Sequence, residues 1–151
     1  AEVWPVVLRS HPRTKFHIAG KGLNPAMWTD VPGLVNHGEV KDAAAFAQQH
    51  DLLVVPLLRG AGIRVKIVES FSLGIPVVST TMGVQGLEIS SHEILVQAEP
   101  QKLAEALIGV LNSPEQLKQL SAAGLNAART SFDQDKIGAE LLEFYGQHVR
   151  I

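Results

Sequence analysis

The sequence predicts an α/β protein: a doubly wound parallel sheet with helices on both faces and a helical C-terminal tail. Three observations carry this. Short apolar runs of strand length alternate with segments of helical period. Residues 52–58 are apolar without polar alternation, the pattern of a strand covered on both faces. Beyond Pro100 the periodicity is helical to the end of the chain.

Taken in order, Val3, Trp4, Val7 and Leu8 fall at helical spacing, and the helix they define ends near His11-Pro12. Residues 16–20 form a strand leading to Gly20 and Gly22. Asn24-Pro25 gives a cap and first-turn signal for a brief helix through Met27 and Trp28. Residues 34–37 make a weaker strand, ending at Gly38, and Asp42 caps a helix over 43–49. The strand at 52–58 is broken by Gly60-Ala61-Gly62. The next helix places Ile63, Ile67, Val68 and Phe71 on one stripe and stops at Gly74. Residues 75–79 are the following strand, with a hydroxyl- and glycine-rich loop through Gly86 behind it. A last strand at 93–96 precedes helices at 101–111, 114–131 and 133–148, with Ser113-Pro114 and Asp133 as their start signals.

Composition narrows the function. The 151 residues make one domain large enough for a core, and 46% hydrophobic with 19% charged residues is ordinary globular usage. A net charge of -2 and 5% aromatics exclude the electrostatics and stacking platforms of a nucleic-acid binder. There is no cysteine, the six histidines lack metal-ligand spacing, and no nucleophile elbow or P-loop is present. No apolar run reaches the roughly 20 residues that span a bilayer.

In an open parallel sheet, ligands bind beyond the carboxyl ends of the strands. The loops to read are therefore 20–22, 37–39, 59–66 and 79–86. One of them is anomalous. A helix N-terminus favours acidic neighbours, yet the helix after Gly62 offers Arg64 and Lys66, each unfavourable there by about 0.3–1 kcal/mol. An anion over the glycine loop removes that cost, because N–H groups, dipole and both cations then point at it. The alternative is two solvated charges, with Lys66 paired to Glu69 one turn on.

The segment VVPLLRGAGIRVKIVESFSLGIPVVSTTMGVQGLE resembles the carboxy-terminal half of retaining glycosyltransferases of the GT-B fold, the group 1 (family 4-like) enzymes. The ordered series carries the likeness: a glycine loop, Arg-x-Lys, a glutamate three residues later, then Gly-x-Pro-Val-Val-Ser-Thr. It extends to the opening helix, the strand at 16–20 and the tail around Arg129 and Phe132, nearly the whole chain. The resemblance implies that residues 1–151 are one Rossmann-like domain, half of a GT-B fold, binding a nucleotide-diphosphate sugar. Such a donor is a UDP-, GDP- or ADP-sugar, used without prosthetic group or metal.

Carried onto this sequence, the resemblance makes Gly60 and Gly62 the close approach to the diphosphate and Arg64 and Lys66 its clamp. Side chains two apart on a helix diverge by roughly 200°, so both reach one ligand only with Arg64 at the cap. Glu69 matches a ribose-hydroxyl acceptor; its other reading is the pair with Lys66. His37, Gly38 and Val40 match the base pocket, against an exposed histidine at a strand end. Thr80, Thr81 and Gly83 face sugar or phosphate, or else Ser79 to Thr81 satisfy turn backbone. Ala61 stands where many relatives have a sugar-contacting glutamate, and Ile63 where they often have threonine. No catalytic residue is assigned.

In that family an amino-terminal domain holds the acceptor, and the donor domain begins with a strand lying near the middle of its sheet. This chain begins in the helix that follows. The expectations are an unfilled slot prone to strand-mediated self-association, and little or no transfer by the chain alone. The acceptor is a saccharide, lipid or small molecule, and the setting cytoplasmic, with a peripheral position at the inner membrane surface for lipid or polysaccharide acceptors. A sugar-nucleotide epimerase of the same architecture and a non-catalytic α/β module are the alternatives.

Overall fold

The computed structural model describes residues 2–60, 62 and 64–148. Helix α1 (Val3–Ser10) is followed by strands β1 (Phe16–Ile18) and β2 (Leu34–Asn36), then helix α2 (Ala43–Ala47) and strand β3 (Leu53–Val55). Helix α3 (Val65–Ser72) leads to β4 (Val77–Ser79) and β5 (Leu95–Val96). Helices α4 (Pro100–Leu111), α5 (Pro114–Thr130) and α6 (Gln134–His148) complete the chain.

All strand pairings are parallel, as the apolar runs predict, but the described strands form two sheets rather than one. β1 pairs with β2, setting Phe16 opposite Leu34. The other sheet has the order β3-β4-β5, with Leu53 opposite Val77 and Val78 opposite Leu95.

The core lies around β4. Its successive side chains point to opposite faces, and Val77 and Val78 are both completely buried. Val78 joins Val7, Leu103, Leu107, Val110 and Leu120 on the face covered by α1 and α4. Val77 joins Val55, Ile67, Phe71, Ile94 and Ala127 on the other. Ile67 and Phe71 are the α3 stripe, and burying each contributes about 1.5–3 kcal/mol. Helix α5 comes close to α3 only because residue 124 has no side chain: a Cβ there would sit 2.7 Å from the Phe71 ring.

Between the β1 and β3 edges runs a groove of about 1600 Å³. Its walls include Phe16, Ile18, Leu52 and Val54 from the strand regions and Val3, Leu103 and Phe46 from helices on both sides. A strand seated there would be covered on both faces.

Several expected boundaries shift. Residues 24–28 form turns, not a helix, because the Asn36 amide takes the Asn24 and Met27 carbonyls and Trp28 adopts φ 62°. The strand expected at 52–58 is shorter, since pairing with β4 stops at Val55–Ser79 and Pro56 has no N–H to donate. The last strand begins at Leu95 rather than 93, because the Glu93 carboxylate turns back to accept from the Ser90 N–H at 2.7 Å.

Candidate functional site

The loop that leaves β3 and enters α3 carries the clustered cations. Arg64 is the N-cap residue of α3, and no acidic residue and no side-chain cap occupy that helix's first turn. Its guanidinium folds back over the loop and Nη1 donates to the Gly62 carbonyl at 2.9 Å. Gly60 leaves room for this: a Cβ there would lie 2.5 Å from Arg64 Nη2, and its φ of 139° is one that side chains rarely adopt. Lys66 is the second residue of α3, exposed. The structure thus puts Arg64 at the cap rather than inside the helix.

Glu69 is also exposed and lines the groove with Lys66. Ion pairs among the described residues are His92–Glu93 and Lys102–Glu99, so the Lys66–Glu69 pair weighed from the sequence does not form. Ala61 and Ile63 lie outside the described residues.

The loop after β4 is tied to the loop after β3. Thr80 is buried, its N–H donates to the Val55 carbonyl at 3.2 Å, and its hydroxyl donates to the Leu57 carbonyl. The same hydroxyl accepts from the Gly83 N–H at 3.2 Å. Ser79 is fully buried with its hydroxyl on the Val55 and Thr80 carbonyls. These two hydroxyls therefore satisfy turn backbone, the second of the readings offered for them. Thr81 is the exposed member, while Gly83 is buried beneath the loop.

On the other sheet, the Gly20 N–H donates to the Gly38 carbonyl at 2.8 Å, joining the loops after β1 and β2. Gly38 is buried with φ 64°, and a Cβ there would strike the Pro25 ring at 2.7 Å. His37 is exposed and Val40 half-buried. Here the structure assembles what the linear spacing did not show: His17, His37 and His50 come together. His17 Nδ1 and His37 Nε2 are 2.9 Å apart, and the His17 and His50 ring centroids 4.5 Å. The register explains half of it. His17 lies opposite Val35, so His37, two residues on, projects from the same side. Burial, then His50, His37 and Lys15, hold the His17 pKa below its ordinary value.

The four loops are thus joined in two pairs, one on each sheet, rather than at one point. Lys66, Glu69 and Thr80 line the groove between the sheets; Gly60, Gly62, Arg64, Thr81, Gly83, His37, Gly38 and Val40 are not in its wall. Chemically, the α3 end offers two cations and unpaired helix N–H groups to an anion. Among the described residues no three histidine, cysteine or acidic side chains are disposed to hold a metal ion.

Residues 1–113 match the family model described as glycosyl transferases group 1. Over 153 aligned positions the chain is 22% identical to an uncharacterized 44.6 kDa protein in the cps region of Klebsiella pneumoniae, covering 94% of this chain and 39% of that one. Its fold matches the crystal structure of the Anabaena protein HepE in complex with UDP, at a TM-score of 0.79 and 15% identity. That match covers 96% of this chain and 44% of HepE. WaaG, a glycosyltransferase involved in lipopolysaccharide biosynthesis, matches at 0.70 and 13% identity, over 86% of this chain and 40% of its own. The chain spans about two fifths of the length of each of these proteins. The Rossmann-like half of a GT-B fold is the architecture shared with the solved structures.

Proposed function

The chain belongs to the group 1 glycosyl transferases, and on that premise we propose that it binds the nucleotide-diphosphate sugar for retaining transfer to an acceptor. The observation that carries this reading is the α3 N-terminus. Arg64 caps it, Lys66 lies in its first turn, that turn holds no acidic residue, and Gly60 makes room for the arginine. As the glycosidic bond to the donor breaks, negative charge grows on the nucleotide diphosphate. The two cations and the helix N–H groups stabilise that charge in place of a metal. Glu69, exposed one turn further on, accepts from the ribose hydroxyls, since a carboxylate can take two vicinal O–H donors. The base lies toward His37, Gly38 and Val40, with Thr81, Gly83 and the loop at Ala61 and Ile63 nearest the sugar.

The nucleotide seen with HepE makes UDP the first to test, ahead of GDP and ADP. The acceptor, a saccharide, lipid or small molecule, is held by polypeptide beyond residues 1–151, which also seats a parallel strand between β1 and β3. The chain alone is then inactive, because nothing holds the acceptor in line with the donor. We place the reaction in the cytoplasm, peripheral to the inner membrane for a lipid-linked acceptor.

Transfer assays on the full-length polypeptide test this. Lys66→Ala is expected to lower donor use well over tenfold, since a charge-assisted hydrogen bond contributes roughly 1.5–3 kcal/mol. Nucleotide should be released only when acceptor is present. Release without an acceptor, or undiminished donor use by Lys66→Ala, would contradict the reading.

A further inference from the structure

Three histidine rings from three separate elements meet on the smaller sheet, and the donor-binding reading uses only one of them. His17 is the middle residue of β1, His37 follows β2, and His50 follows α2. His17 and His37 stack at 5.2 Å between centroids and share a hydrogen bond of 2.9 Å. His50 completes the group, 4.5 Å from His17 and 4.5 Å from Phe46, and Phe46 in turn meets His37 edge-on at 5.1 Å. The His50 ring also bonds the Phe46 carbonyl through Nδ1 at 2.7 Å.

A hydrogen bond between two imidazoles needs one ring nitrogen to give a proton and the other to accept it. The His17–His37 bond therefore survives with both rings neutral or with one proton between them, and fails when both are charged. The groups around it worsen the second protonation. Lys15 on the β1 side adds positive charge, and Lys66 of α3 lines the groove that His17 and His50 also line. Glu69, on the same helix, and Asp51, beside His50, are exposed carboxylates, and none of the ion pairs among the described residues joins a carboxylate to these rings.

Burial does little to fasten this corner. Helix α2 has five residues and none of them is buried, and both strands of its sheet are only half-buried. The three rings and Phe46 thus connect α2 to β1 and to His37, whereas the loop after β2 is also held to β1 by the His37 N–H on the Ile18 carbonyl at 2.9 Å and the Gly20 N–H on the Gly38 carbonyl at 2.8 Å. We propose that His17, His37 and His50 form a proton-operated latch, closed while at most one ring is charged and opened by a second proton. Opening frees α2 and the His37 ring from His17 and leaves the backbone pairing of β1 with β2 and the β3-β4-β5 sheet intact.

The sign follows from the depressed His17 pKa. Its stabilising contribution is fully present above the unfolded value of about 6.5 and is lost as pH falls through the lower folded value. On the reading proposed above, the same proton weakens nucleotide binding as pH falls through that lower value. That consequence rests on that reading, whereas the latch is measured without any nucleotide.

Imidazole NMR titration and amide exchange of the protein between pH 7.5 and 5.5 test it. His17 should titrate below its ordinary value. Amide protection factors in α2 should fall at least tenfold across that range, with α4 and α5 unchanged. In both His17→Asn and His50→Gln, compared so that a packing change in one is told apart from loss of the ring, the drop should shrink below threefold. A His17 titration at its ordinary value, or α2 protection equal at both pH values, would overturn the latch. So would a loss of protection shared equally by α4 and α5.

Discussion

The two sheets are built to different standards. In the β3-β4-β5 unit every residue of β4 is buried, and helices α1, α3, α4 and α5 supply two continuous apolar clusters. In the β1-β2 unit no strand residue is fully buried, and the contacts are hydrogen bonds and stacked rings. The first unit rests on apolar packing, and its loops are tied by buried hydroxyls, neither of which titrates near neutral pH. The second adds to its backbone bonds a set of imidazole contacts whose strength depends on protonation. The candidate charge clamp is thus attached to the packed unit and the candidate base pocket to the less buried one.

Substitutions can break this contrast, beginning with the largest effect. Phe71→Ala removes a fully buried ring from the packed unit and is expected to cost about 3–5 kcal/mol in urea unfolding. Phe46→Ala, half-buried in α2, should cost about 1 kcal/mol by the area it covers. Equal costs would erase the distinction between the halves.

Thr80→Val comes next. It leaves the Leu57 carbonyl without the hydroxyl donor and the Gly83 N–H without that acceptor. A loss of about 1–3 kcal/mol is expected, with Thr80→Ser, which keeps the hydroxyl, recovering most of it. If valine proves neutral, the hydroxyl does not tie the two loops. The smallest effect separates two N-caps. Asp42 accepts from the Ala45 N–H at 2.9 Å and Ser113 from the Gln116 N–H at 3.2 Å. Each change to alanine should cost about 1 kcal/mol locally. For Asp42 the loss should appear as faster exchange in α2, and for Ser113 as a lower global midpoint, because only α5 is part of the main core.

Much of this was legible from residue order. Helices α1, α3, α4, α5 and α6 follow from apolar spacing, and the cap at Asp133 shows itself as the Lys136 N–H bond at 2.9 Å. The position of Arg64 at the cap followed from requiring two cations to serve one ligand. What was hidden depends on distant partners. Asn24-Pro25 carries a genuine helix-start signal, but Asn36, twelve residues away, claims the carbonyls that a helix would use. The three histidines are separated by intervals of 20 and 13 that match no ligand pattern; only the β1-β2 register and the end of α2 bring them together. Thr80 looked outward because it follows a strand, and turns inward because the β3 exit presents an unsatisfied carbonyl beside it.

The central claim is that the cations at the start of α3 receive a nucleoside diphosphate. The most direct test is thermal unfolding of the full-length polypeptide with UDP, GDP or ADP, alongside its Arg64→Ala and Lys66→Ala variants. At 100 times the dissociation constant, one nucleotide should stabilise the protein by about 2.7 kcal/mol, and each variant should need more than tenfold more nucleotide for the same shift. No stabilisation by any of the three, or variants that respond as the parent does, would contradict it.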